Sequence, residues 1–198
     1  VKKILILGAH GQIARVAAEL FQQRDDVELT LYLRNSQRLR SVASNRCRVV
    51  DGDVLTLPVL QSTMTGQDVV YANLDGQLEL QAKNIVKAMH DTGVKRLIFV
   101  SSMGIYNEVP GEKYGAILDP YRKSAAIIEA SDLEYTLLRP AWLNDKDEID
   151  YETTQKGEPF RGFSVSRKSV ADLVVKLAMA TNMEVRCSLG VSKPVVPG

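Results

Sequence analysis

The chain has 198 residues and a mass of 21.9 kDa, enough for one domain with a sizeable core. Lysine and arginine total 25 against 24 for aspartate and glutamate, a balance that offers nothing to nucleic acid or to an anionic membrane surface. Two cysteines and two histidines stand without ligand or disulfide spacing, which argues against a metal site and a cystine framework and makes a reducing cytoplasm the expected setting.

The first predicted element is the strand Lys3-Ile4-Leu5-Ile6-Leu7, which runs straight into Gly8-Ala9-His10-Gly11-Gln12-Ile13-Ala14. Because this strand is already structural, no leader segment is expected, and no apolar run has the length of a membrane span. Ile13, Val16, Ala17, Leu20 and Phe21 recur at helical spacing, so the next element is a helix with one buried face. Val27 to Leu33 then reads as a second parallel strand, closing a βαβ unit of about 30 residues.

That unit carries a ligand expectation. A turn so tight needs a residue without Cβ at Gly8, Gly11 lets phosphates approach the main chain, and the small Ala14 lets helix and strand pack closely. The first-turn N–H groups, at Gln12 and Ile13, lack intrahelical partners and point at an anion. Gly8, His10, Gly11, Gln12 and Ile13 are therefore the expected seat of a dinucleotide pyrophosphate, with His10 a donor in reach. Taken as bare letters the glycine spacing would also suit a βα loop with no ligand; the complete unit around it favours nucleotide binding.

The end of the second strand addresses which dinucleotide. NAD sites place an acidic residue about 20 positions beyond the glycines. Here the strand ends in Arg34-Asn35, and no carboxylate follows before Asp51. The charge and forked donors of Arg34 suit a 2′-phosphate, so NADP is expected over NAD. Arg38 and Arg40 add positive charge nearby, although a solvated basic surface would look the same.

Further strands are predicted at 47–50, 68–72, 95–100 and 134–139, with helices at 36–43, 56–64, 77–92, 120–131 and 168–181. The helix over 77–92 carries Ala82, Ile85, Val86 and Met89 on one face and stops at Gly93. Such alternation predicts an α/β chain of one domain over residues 1–198: a Rossmann-type, doubly wound parallel sheet with helices on both faces. Two stretches break the rhythm, 104–119 and 143–167. Each follows the carboxyl end of a strand, where open α/β sheets bind ligands, so they are expected to form a small loop-built substrate region.

These residues resemble the short-chain dehydrogenase/reductase superfamily, in particular its atypical branch of NmrA-like, NAD(P)H-binding proteins. Gly8-Ala9-His10-Gly11-Gln12-Ile13-Ala14 is similar to that branch's Gly-Ala-Thr-Gly-x-x-Gly, and Asp51-Gly52-Asp53-Val54 to its Gly-Asp-hydrophobic turn. Phe99-Val100-Ser101-Ser102 resembles its strand ending in the active-site serine, and Leu133 to Pro140 the strand before its substrate region. Arg167-Lys168-Ser169-Val170-Ala171-Asp172-Leu173 resembles the start of its closing helix. The resemblance implies that Asp53 and Val54 hold the adenine and that Asn73 belongs to the same cofactor set. It also implies that Ser102 hydrogen-bonds the reacting oxygen, with Ser101 the near alternative; a Ser-Ser pair can equally just satisfy backbone groups at a strand end.

One departure concerns catalysis. Reductases of the superfamily use Tyr-x-x-x-Lys, one helical turn apart, the Lys binding nicotinamide ribose and lowering the Tyr pKa. Lys123 fits that Lys, but Asp119 stands four residues before it, and Tyr121 only two. Lys123 is accordingly expected to bind ribose rather than to donate a proton, and ordinary carbonyl reduction is not expected. Tyr106, Tyr114 and Tyr121 are candidates to line the pocket, and Trp142 stands where a substrate wall belongs, although a lone Trp is more often core.

The expected function is NADPH-dependent hydride transfer to a quinone, flavin or similarly conjugated small molecule, which needs no Tyr because it can collect its proton from water. The alternative is a redox sensor that binds NADP(H) and signals through a regulatory partner without chemistry. An epimerase or dehydratase is disfavoured, because that chemistry normally needs the missing phenol. The partner expected is a small molecule, with a homodimer left open.

Overall fold

Strand β1 (Lys2–Leu7) lies inside an eight-stranded sheet in the computed structural model, which describes residues 1–196. On one side stand β2 (Val27–Leu33) and β3 (Cys47–Asp51); on the other come β4 (Val69–Ala72), β5 (Arg96–Val100) and β6 (Glu134–Pro140). β7 (Trp142–Asn144) and β9 (Ser164–Ser166) pair apart as a small second sheet. β10 (Cys187–Ser192) continues the main sheet beside β6, and β8 (Glu152–Gln155) closes its edge. Every pair is parallel except β8 against β10, so a Rossmann-type parallel sheet carries one antiparallel edge strand. The strand order reverses between β1 and β4, and a crevice for ligands opens at the carboxyl ends of the strands at such a point.

The strand sequences explain their positions. β1, β4 and β5 are apolar runs buried on both faces, as central parallel strands must be. Alternate β1 side chains divide between two cores. Ile4 and Ile6 pack with α1 (Gln12–Gln22) and α5 (Arg167–Met179). Leu5 and Leu7 pack with α2 (Leu57–Met64), α3 (Leu78–Thr92) and α4 (Asp119–Glu129). α3 ends at Gly93, whose φ of 75° lies in the left-handed region that terminates helices.

Two expectations change. The predicted helix over 36–43 is a 3₁₀ segment, Ser36–Val42, entered through Asn35 at φ 58°. The polar stretch 143–167 contains β8 and β9, and β10 lies in a segment with no predicted strand.

A buried ion pair fixes the loop after β5. Arg139 on β6 is 1% exposed and pairs with Glu108 on that loop. Its Nε donates to Ser188 Oγ at 2.9 Å and its Nη2 to the Ser188 carbonyl at 3.1 Å. The Tyr106 ring lies 4.9 Å from the guanidinium, with its hydroxyl 2.9 Å from Ser188 Oγ and 3.1 Å from Glu129 Oε1. Tyr106 is thus consumed by this network and does not line the pocket expected of it.

Candidate functional site: two adjoining cavities

The glycine loop after β1 packs directly on the residue that follows β4. Gly8 has φ +74°, and a Cβ there would stand 2.2 Å from the Asn73 carbonyl oxygen; one at Gly11 would stand 2.5 Å from Asn73 Oδ1. Both glycines are therefore demanded by the chain itself, and Gly11 has a reason beyond the approach of phosphates. Asn73 Oδ1 accepts a hydrogen bond from the Ala14 N–H at 3.0 Å. It thereby caps α1, which has no side-chain cap of its own, and leaves the Gln12 and Ile13 N–H groups without intrahelical partners.

A cavity of about 590 Å³ opens over this loop. Gly8, His10, Gly11, Gln12 and Ile13 line it, and so do Arg34, Asp53, Val54 and Asn73. Sequence reasoning missed Arg15, Tyr32 and Gln81 as lining residues, and Arg40 does not line it. Tyr32 is the floor under the β3 turn: a Cβ at Gly52 would fall 2.4 Å from its ring, and its hydroxyl donates to the Asp53 carbonyl at 2.9 Å. Burial, with Asp53 and Asp51 adding to it, pushes that phenol up to about 12. Asp53 Oδ1 accepts from the Leu55 N–H at 2.9 Å, and Asn84 Nδ2 donates to the Val54 carbonyl at 3.0 Å, so the turn is held from both sides.

The charge of this cavity is cationic on one side. Arg15, Arg34, Arg38 and Arg167 line it against the carboxylates of Asp53 and Asp75. His10 Nδ1 is buried without a hydrogen-bond partner. Burial first, then Arg38 and Arg15, hold the imidazole below its ordinary 6.5 and favour its neutral form. A phosphorylated dinucleotide fits these groups: four guanidinium groups, an unused imidazole nitrogen and a free helix start all seek anionic oxygens.

A second cavity, of about 700 Å³, adjoins the first. Ile13, Asn73, Leu74, Leu143 and Arg167 line both. The carboxyl end of β5 supplies Ser101 and Ser102; the following loop supplies Tyr114, Ile117 and Leu118, and α4 supplies Tyr121. The Ser102 hydroxyl donates to the Met103 carbonyl at 2.9 Å, whereas Ser101 Oγ is buried with no partner. Both serines reach the cavity, and the uncommitted hydroxyl is that of Ser101. Tyr114 donates to Asp119 Oδ1 at 2.5 Å and accepts from Arg122 Nε at 3.0 Å. Trp142 is 71% exposed on the cavity lip and is not a core residue.

Lys123 is not gathered with the other candidates. It is exposed and borders a smaller hollow of about 280 Å³ with Asp119, Pro120 and residues 76–80. The cause is helical phase. α4 buries Ser124, Ala125 and Ile128, and at 100° per residue Lys123 falls on nearly the opposite side. Lys123, expected to bind ribose, therefore lines neither of the two adjoining cavities, and Tyr121 lines the second.

Strand order, glycine loop and paired cavities together define a Rossmann-type NAD(P)-binding protein of the short-chain dehydrogenase/reductase class. The chain belongs to the NAD(P)H-binding family, which it matches over residues 8–181. It is similar to a Rossmann-fold NAD(P)-binding family protein of Shigella flexneri, at 43% identity and TM-score 0.90, covering 100% of this chain and 96% of the other. A short-chain dehydrogenase/reductase of Veillonella parvula, solved in complex with NADP, is similar at 29% identity and TM-score 0.87, covering 98% and 95%. A Bacillus subtilis protein called uncharacterized sugar epimerase YhfK shares 27% identity over 93% of this chain and 91% of its own length. Among the described residues, no helix is long and apolar enough to cross a membrane.

Proposed function

We propose that the protein is an NADPH-dependent oxidoreductase that passes hydride to a conjugated small molecule such as a quinone or flavin. One observation carries the reading: a cationic cavity suited to a phosphorylated dinucleotide meets an apolar cavity that lacks a Tyr-x-x-x-Lys pair. Bound NADPH supplies the hydride. Arg34, Arg38 and Arg15 serve its 2′-phosphate, and Gly8 to Ile13 its pyrophosphate. The NADP-bound Veillonella relative supports the same choice of cofactor.

At the junction the protein's task is orientation. Ile13, Leu74 and Leu143 hold apolar surface against both ligands and keep water out, so that two rings stack in register. Ser101 offers its unpartnered hydroxyl to an acceptor oxygen. A conjugated acceptor takes its proton from water after hydride arrives, so the absence of a phenol at position 119 is tolerated. The YhfK likeness raises epimerisation, but that chemistry needs a proton-transfer group where this chain has Asp119 and an outward Lys123.

The test mixes NADPH and the purified protein with a panel of quinones and flavins and follows nicotinamide absorbance. Oxidation that depends on both protein and acceptor is expected. Calorimetric binding of NADPH with no turnover across the panel would overturn the enzymatic reading. The outward Lys123 favours one second reading, an NADP(H) sensor without chemistry. It predicts unequal affinity for the oxidised and reduced cofactor or a partner that binds one form alone.

A further inference from the structure

The second cavity is walled mainly by apolar groups, among them Val100, Met103, Ile117, Leu118 and Trp142. Its charged lining residues are Glu112, Lys113 and Arg167. Glu112 and Lys113 are exposed on the outer loop, whereas the Arg167 side chain is only 20% exposed. Arg167 also lies on the seam, lining both cavities.

The guanidinium of Arg167 is under-used. Its Nη1 donates to Asp145 Oδ1 at 2.8 Å, but that carboxylate is 84% exposed. A pair with so solvated a partner holds weakly and yields to a better-placed anion. Its Nε is buried without any hydrogen-bond partner. A buried cationic N–H with no acceptor is unfavourable, and a planar fork with an unused edge matches a carboxylate bidentately. The cofactor's phosphates have other seats: the start of α1, where Ile13 also reaches the second cavity, and Arg15, Arg34 and Arg38, none of which lines that cavity.

We propose that Arg167 recognises an acidic group on the acceptor, so that the substrate is a conjugated ring system bearing a carboxylate. The proposal rests on the reading that the apolar cavity takes the acceptor. The carboxylate lies on the seam and accepts from Nε and a neighbouring guanidinium N–H. The ring extends along Trp142 and Ile117, with Ser101 at its inner end.

The test measures binding, not turnover. Protein saturated with NADP⁺ is titrated with anthraquinone-2-carboxylate and with its uncharged carboxamide, each followed by calorimetry. The acid is expected to bind about tenfold more tightly than the amide, the scale of a charge-assisted bidentate contact. Arg167→Gln should abolish that preference while leaving amide affinity unchanged, with Arg167→Lys restoring part of it. Asp145→Asn alters an exposed side chain, so folding is not at risk, and by freeing Nη1 it should tighten binding of the acid alone. Equal affinity for acid and amide in the unmodified protein, or no binding of either, overturns the proposal. So does an Arg167→Gln variant that weakens NADPH but keeps the acid preference, because the residue then serves a cofactor phosphate. The enzymatic reading fails separately: a protein that prefers the acid yet oxidises no NADPH keeps this inference and loses that one.

Discussion

At the scale of single residues, the phosphate side of the site turns on three arginines drawn from different elements. Arg34 directly follows β2, Arg15 rides on α1 and Arg38 stands in the 3₁₀ segment. If Arg34 meets the 2′-phosphate, Arg34→Asp removes a charge-assisted contact worth about 2 kcal/mol, roughly thirtyfold in NADP affinity. NAD affinity should hardly move, because NAD has nothing there to lose. Calorimetry with both cofactors checks this, and an unchanged ratio would withdraw the assignment. Arg34 was legible in the sequence because the strand end is fixed by its apolar run. Arg15 was not, because facing the loop depends on how α1 rotates on the sheet. Lys123 shows the same limit from the other side. A motif can place a lysine at the right spacing, yet the buried face of α4 turns it outward.

His10 offers a second residue-scale prediction. Its imidazole is held below the ordinary 6.5 by burial and by Arg38 and Arg15. The unfolded chain therefore takes a proton here first as pH falls. The contribution of this group to stability is whole above about pH 6.5 and erodes below it, down to the folded-state value. Arg38→Gln removes one of the repelling charges and should move the His10 titration up toward its ordinary value. Proton NMR of the two histidines reads this directly, and a His10 curve that stays in place would show that Arg38 does not act on it.

At the scale of elements, the loop after β5 depends on a charge pair that the core encloses. Glu108 and Arg139 are 6% and 1% exposed, and Phe160 donates its N–H to the Glu108 carbonyl at 2.9 Å. Removing one partner leaves a buried charge alone, which costs about 3–5 kcal/mol, whereas replacing both with apolar groups restores much of the loss. Arg139→Met and Glu108→Leu should each lower the midpoint of urea denaturation far more than the double variant does. Equal or additive losses would mean that the pair is not the unit that matters. The six strands from β1 to β6 were legible because they are apolar runs set between helices. β10 escaped because its sequence, Cys187-Ser188-Leu189-Gly190-Val191-Ser192, has the composition of a turn. The reason for Gly190 is tertiary: a Cβ there would stand 2.3 Å from Thr154 Oγ1 and 2.9 Å from Phe160. β8 escaped because Glu152-Thr153-Thr154-Gln155 is an edge strand, where polar residues are favoured.

At the scale of the whole molecule, the reversal of strand order brings the two cavities together, and five residues lining both couple them. Leu143 is one of these, and its neighbour Trp142 is the chain's only tryptophan. The Trp142 N–H donates to the Phe163 carbonyl at 3.2 Å, so the ring is carried by the β7–β9 pair rather than by a free loop tip. At 71% exposure it should emit as a solvated indole in the free protein. A planar acceptor entering the apolar cavity covers that face, so emission should fall and saturate together with binding measured by calorimetry. Trp142→Phe keeps an aromatic surface and should weaken acceptor binding by no more than about 1 kcal/mol, whereas Trp142→Ala should weaken it further. Cofactor alone reaches the seam but not the lip and should change emission much less. Emission that responds to NADPH and ignores every acceptor would put the acceptor outside this cavity and leave the apolar lip without the role that its place beside the seam gives it.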